Sequence, residues 1–187
     1  MRTRQVLLWL LIAALCTPVC ARVQGARRSL PQEQTTFGME IKVRHPVSLP
    51  EDILQMLRGD EDVKTRCLGP VGPGQIRAAF FAASKIHLDD HKSPDYVVTA
   101  AKDNPCLGGA NVDPFWVFYW TPQGYQLGLK VDTFSLHVRK TRTKAYRDID
   151  TEAITGTELF SPLFHFDGSK YINVHSSRQP LPIRKGR

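Results

Sequence analysis

From Phe115 to Trp120 every position is apolar, reading Phe-Trp-Val-Phe-Tyr-Trp. A strand turns successive side chains to opposite faces, so an uninterrupted run predicts a central strand buried on both sides. Its neighbours read differently. Tyr125, Leu127, Leu129 and Val131 alternate with other residues, as do Phe134, Leu136 and Val138, which predicts strands with one buried face. Between the first two of these strands stands Thr121-Pro122-Gln123-Gly124, with proline preset for the first turn position and glycine free to take a left-handed one. A tight hairpin follows from it. Ala79 to Ile86 and Tyr96 to Ala101 predict strands around a polar turn, and Leu163 to Phe166 and Tyr171 to Val174 flank the turn signal Asp167-Gly168. Upstream, Ile53, Leu54, Met56 and Leu57 form a short apolar face behind Ser48-Leu49-Pro50-Glu51, which has the form of a capping box with proline in the first turn. Gly59 supplies a stop, and the Gly-Pro-Val-Gly-Pro-Gly stretch at 69–74 predicts a loop. The expected fold is mainly β, in the α+β class: an antiparallel sheet or meander with one short N-terminal helix and no internal repeat.

The ends of the chain change the picture. Arg2 and Arg4 precede an apolar run from Val6 to Ala14, broken at Pro18 and followed by Arg22. A membrane-spanning helix needs about 20 apolar residues. The pattern predicts instead a signal peptide over 1–21, cut after Ala21, and hence a secreted or periplasmic protein with no transmembrane segment after cleavage. Leu15 and Val19 stand before Cys16 and Cys20 where a lipoprotein signal wants a small residue, so no lipid anchor is expected. Residues 22–36 are polar and aperiodic, predicting a disordered N-terminal segment. Residues 178–187 carry Pro180, Pro182 and four cations and predict a basic tail, which leaves one domain over 37–177. The formal charge of +7 comes from Arg2, Arg4, Arg22, Arg27, Arg28, Arg178, Arg184, Lys185 and Arg187, while all 18 acids lie in the body with almost as many cations. The body is close to neutral, and no specific nucleic-acid partner is expected.

Once the signal is removed, Cys67 and Cys106 are the cysteines left, in a compartment where disulfides persist. Their pairing is the expectation. A free thiol or a metal ligand is the competing reading, with no second cysteine at ligand spacing to support it. No nucleophile elbow, zinc-protease helix, phosphate loop or dinucleotide fingerprint is present. Asp148, Asp150 and Glu152 alternate on one prospective strand face, a spacing that suits paired carboxylates for glycoside hydrolysis or simply a polar edge. Cys106 with His165 or His137 would make a thiol nucleophile and base only if Cys106 were not bonded. The aromatic run divides between core packing and a platform for sugar or peptide. The run Arg139-Lys140-Thr141-Arg142-Thr143-Lys144 divides between an anion-binding stripe and a charged strand edge that discourages sheet-to-sheet association.

The segment His87-Leu88-Asp89-Asp90-His91-Lys92-Ser93-Pro94-Asp95-Tyr96-Val97-Val98 resembles the FG-GAP type of calcium loop, an acidic loop between two strands that ends in Pro-Asp. The order of Cys106-Leu107-Gly108-Gly109, Phe115-Trp116-Val117-Phe118, Gly124-Tyr125, Thr143, Tyr146-Arg147-Asp148-Ile149 and Phe166-Asp167-Gly168-Ser169-Lys170-Tyr171 is similar to small, uncharacterised exported bacterial proteins with one such loop. The resemblance implies a single FG-GAP-like unit whose ligand positions are His87, Asp89, His91 and Asp95. Calcium takes oxygen ligands, so the two imidazoles, with Lys92 where the family carries glycine, disfavour it and suit zinc or copper better. Blades of a propeller need neighbours to bury their faces, so one copy makes no propeller. No cofactor is expected; a divalent metal that accepts imidazole is the alternative. The sequence thus predicts an exported, non-catalytic binding domain whose partner is a protein or glycan of the cell envelope. The alternatives are a small envelope hydrolase using Asp148 and Asp150, or a protein that binds anionic polymer through its basic ends.

Overall fold

A computed structural model describes residues 32–71 and 75–181, so the signal segment, residues 22–31 and the tail beyond 181 lie outside the described residues. Helix α1 (Glu51–Gly59) forms where the apolar face predicts it and buries Ile53, Leu54 and Leu57. Its capping differs from the capping box. Pro50 occupies the N-cap with no side-chain hydrogen bond. Glu51 instead receives hydrogen bonds from Gln55 (2.7 Å) and Arg58 (3.0 Å) further along the helix.

A second helix, α2 (Glu61–Val71), corrects the single-helix expectation and runs into the Gly-Pro stretch that predicts a loop. Asp60 starts it, because its Oδ1 accepts the amides of Asp62 and Val63 and so satisfies donors that a helix start leaves open. Lys130 Nζ holds the same carboxylate at 2.8 Å. Burial pushes the Asp60 carboxyl up, yet the Lys130 and amide bonds outweigh it and hold it below its ordinary value. Within α2, Val63 and Cys67 point inward four residues apart, and Cys67 is bonded to Cys106.

Strands β2 (Phe81–Ile86), β3 (Asp95–Ala100), β4 (Asp113–Thr121) and β5 (Gly124–Thr133) form an antiparallel sheet in that order. All six residues of β3 and the first seven of β4 are buried, so this sheet is covered on both faces. Alternation assigns the two sides. Trp116 and Phe118 of β4, with Val98 opposite Trp116, pack on Ile53, Leu57, Val63 and Leu107. Phe115, Val117 and Tyr119, with Val97 opposite Val117, pack on Leu136, Val138, Ile149, Phe166 and Tyr171.

The second cluster belongs to a five-stranded antiparallel sheet. Its strands are β1 (Thr36–Gly38), β6 (Ser135–Thr143), β7 (Tyr146–Thr155), β8 (Glu158–Phe166) and β9 (Tyr171–Pro180), adjacent in the order β1-β6-β7-β8-β9. The result is three layers, helices on a four-stranded sheet on a five-stranded sheet, rather than one meander. Of the segment expected to be disordered, Thr36 opens β1, and the first residues of the segment expected to be a tail continue β9, where Arg178 lies 5.5 Å from the Phe160 ring and pairs with that residue across the strands.

The turns follow their chemistry where the sequence carries it. Gly124 has φ +110°, and Thr121 Oγ1 donates to its carbonyl at 2.7 Å. Gly168 has φ +111°, beside Asp167 Oδ1, which accepts the amides of Ser169 and Lys170. No helix among the described residues is long and apolar enough to cross a membrane.

Candidate functional site

The loop joining β2 to β3 is built on two buried carboxylates and one buried leucine. Leu88 is fully buried and enters the inter-sheet cluster, which pins the loop to the core. Asp95, 1% exposed, accepts the Leu88 amide on Oδ2 (2.7 Å) and the Trp120 amide on Oδ1 (2.8 Å). It therefore ties the loop to the far end of β4. Burial pushes its carboxyl up to about 6 against the pull of those two amides. Asp89 accepts the backbone amide of His91 on Oδ1 (2.9 Å) and meets the ring Nδ1 of His91 with Oδ2 (2.6 Å). Burial opposes ionisation of Asp89, but the His91 bonds win and lower it, while the Asp89 carboxylate raises the His91 imidazole. The His91 ring lies 5.8 Å from that of Trp120.

A guanidinium closes the base. Arg147 reaches Glu33 Oε2 (2.8 Å), the carbonyl of Arg139 (2.6 Å), the carbonyl of Val138 (3.0 Å) and the carbonyl of His87 (3.3 Å). Glu33 spends its other oxygen on the His87 amide. Above these groups opens a cleft of about 410 Å³, flanked by Asp90, His91, Lys140 and Arg142. Arg142 pairs with Asp90 at 2.9 Å.

The four residues that the calcium-loop resemblance names come out close in sequence but not as a ligand set. Asp95 faces inward onto amides, Asp89 is occupied by His91, and the imidazole of His87 stands beside Glu33 at 3.4 Å. Among the described residues no group of three or more His, Cys, Asp or Glu is placed to hold a metal. With two imidazoles and both carboxylates already committed, the loop does not fit calcium.

The remaining sequence candidates separate. The Cys67–Cys106 bond removes the thiol that a Cys106 nucleophile would need. Phe115, Trp116 and Phe118 are at most 1% exposed, so the aromatic run is core and offers no platform there. Asp148 and Asp150 flank the buried Ile149 and hence project from the opposite face of β7. Asp148 lies 3.9 Å from His165 Nε2, and Asp150 receives Arg139 Nε at 3.1 Å. One oxygen of each, Oδ1, is buried without a hydrogen-bond partner. In the basic run, β1 pairs with β6 only over Ser135 to His137. Beyond it the Val138 amide donates to the Thr35 carbonyl and Arg147 donates to the carbonyls of Val138 and Arg139, and no strand among the described residues pairs with that edge from Lys140 on.

Glu33, Lys140, Arg142 and Arg147 are the site residues that pattern reading misses as a group. Glu33 sits in a segment without periodicity, and nothing local to Arg147 says that it will meet a residue more than a hundred positions earlier. In comparison with known proteins, no family model, curated protein or solved structure matches the chain.

Proposed function

We propose that the protein is an exported, non-catalytic binding domain acting in the cell envelope or outside the cell, and that its ligand docks in the cleft at the β2–β3 loop. The observation that carries this reading is the division of labour in the cleft. Asp89, Asp95, Glu33 and Arg147 are consumed by structural bonds to amides, carbonyls and one another, which leaves a rigid, charge-lined depression. Pre-organisation of this kind lowers the cost of binding. The Cys67–Cys106 bond agrees with an oxidising compartment. Immobilised protein should retain an envelope component from extract, and charge reversal at Lys140 and Arg142 should release it. Retention that is indifferent to those changes would move the binding surface elsewhere.

A hydrolase acting through Asp148 and Asp150 is the second reading, favoured by their buried, unpartnered oxygens, that of Asp148 lying 3.9 Å from His165. Turnover of cell-wall or glycan substrate above a buffer control, lost in Asp148→Ala, belongs only to that reading.

A further inference from the structure

The cleft is formally balanced, with Glu33, Asp89 and Asp90 against Lys140, Arg142 and Arg147. Its hydrogen-bonding capacity is not balanced. Both oxygens of Glu33 are engaged, by the His87 amide and by Arg147, and both oxygens of Asp89 are engaged by His91. Arg147 is likewise spent at the base, three of its nitrogens on carbonyls and Glu33. What remains unspent at the mouth is mostly donor. Lys140 Nζ has no partner among the described residues, and Arg142 commits only Nη1, to Asp90 and the carbonyl of Ala145. Asp90, its side chain 86% exposed, is the single carboxylate that faces solvent there. Exposed ion pairs of this kind contribute little and exchange readily.

Resting on the binding-domain reading above, we propose that this cleft binds a small oxyanion, the phosphate or carboxylate group of an acidic ligand, between Lys140 and Arg142. Arg142 offers the fork geometry that matches two oxygens of such a group, and Lys140, two residues away on β6, supplies a mobile point charge. The Asp90 carboxylate holds Arg142 in place of the ligand and yields it on binding. Arg147, neutralised by Glu33 at the floor of the cleft, does not contact the anion. The cleft, about 410 Å³ and open to solvent, does not exclude a ligand body larger than the charged group.

Titration calorimetry of the purified protein with inorganic phosphate, glucose 6-phosphate, glucuronate and glucose tests the assignment at moderate salt. Saturable binding of at least one of the three anions and none of glucose is the expected result. Preference for the phosphates or for glucuronate identifies the oxyanion. Lys140→Ala with Arg142→Ala should weaken binding about a hundredfold or more, the scale of losing two charge-assisted hydrogen bonds. Asp90→Asn, at an exposed position where the fold is not at stake, should strengthen it, because it removes a competing anion. No saturable anion binding, or binding unchanged in both variants, overturns the proposal. An envelope component retained through Lys140 and Arg142 while no anion saturates the cleft would likewise overturn it, yet leave the binding-domain reading standing. Anion binding that behaves as proposed, with no envelope component retained, would uphold the oxyanion site and count against the envelope reading.

Discussion

Asp95 concentrates most of what the loop does. Its buried carboxyl titrates near 6 instead of 3.8, because burial penalises the charge more than two amides repay it. A raised acid means that the folded chain holds the proton more tightly than the unfolded chain. This contribution to stability is full below about pH 4 and is lost as pH rises through about 6, a change of about 3 kcal/mol at 1.36 kcal/mol per unit. The sign differs from that of Asp89, whose lowered carboxyl contributes stability at neutral pH and loses it in acid. Asp95→Asn removes the titration and leaves one of two amides facing a donor, at a cost of about 1 to 3 kcal/mol. Denaturant titrations of both proteins from pH 4 to 7 should show that cost shrinking as pH rises. A cost that is flat across this window would mean that Asp95 does not titrate there.

Between elements, the β6–β7 turn is where local chemistry and structure disagree. Lys144 and Ala145 take φ +49° and +71°, the left-handed region that hairpins with two-residue turns demand and that L-residues resist. The Lys144 Nζ donates to the Asp167 carbonyl, whereas Ala145 takes part only through its carbonyl, which accepts Arg142 Nη1, and its methyl group has no bond to offset the strain. Ala145→Gly should therefore raise stability by about 0.5 to 1 kcal/mol, with glycine's entropy partly offsetting the relief. A lower unfolding midpoint for the variant would contradict this. The bond from α2 to the loop before β4 acts at the same scale. It closes a loop with a sequence separation of 39, so Cys67→Ala with Cys106→Ala should cost about 3 to 4 kcal/mol in the chain-entropy model. Chemical denaturation of the double variant measures it directly.

At the scale of the whole molecule the central sheet does the joining, because each face of β4 belongs to a different core. Trp116 is 1% exposed on the helix side and Phe115 is fully buried on the sheet side. Divalent ions should not enter this scheme: the carboxylates of the β2–β3 loop already serve the amides that lock it to β4. Millimolar calcium is expected to leave the melting temperature unchanged, whereas a bound ligand at a hundred times its dissociation constant would add about 2.7 kcal/mol. A calcium-dependent rise abolished by Asp95→Ala would return a ligand role to the loop.

What the sequence determined by itself is whatever depends on near neighbours. The uninterrupted apolar run of β4, the Pro122 and Gly124 hairpin, the Asp167-Gly168 turn and the apolar face of α1 are all local patterns, and each appears where its pattern lies. In β5 the expected single buried face breaks at the bulge opposite Val117 and Phe118, where Leu129 and Val131 face the second sheet, Leu127 is exposed and Tyr125 packs on the helix side. The pairing of Cys67 with Cys106 was also legible, since few partners were available. Helix α2 was not, because only Val63 and Cys67 mark its inner face and Gly69 and Pro70 speak against it; packing on Trp116 and the disulfide outweigh that weak propensity. The sequence also gives no sign that the strands divide into two sheets. Strand alternation says which side is apolar but not which layer will cover it, and both sheets read as one meander until Leu136 and Ile149 are seen to face Val117. The cleft was decided last and entirely in three dimensions. Glu33, His87, Lys140 and Arg147 become neighbours only because β1, the β2–β3 loop, β6 and β7 converge, and which charges stay free depends on bonds that no spacing along the chain encodes.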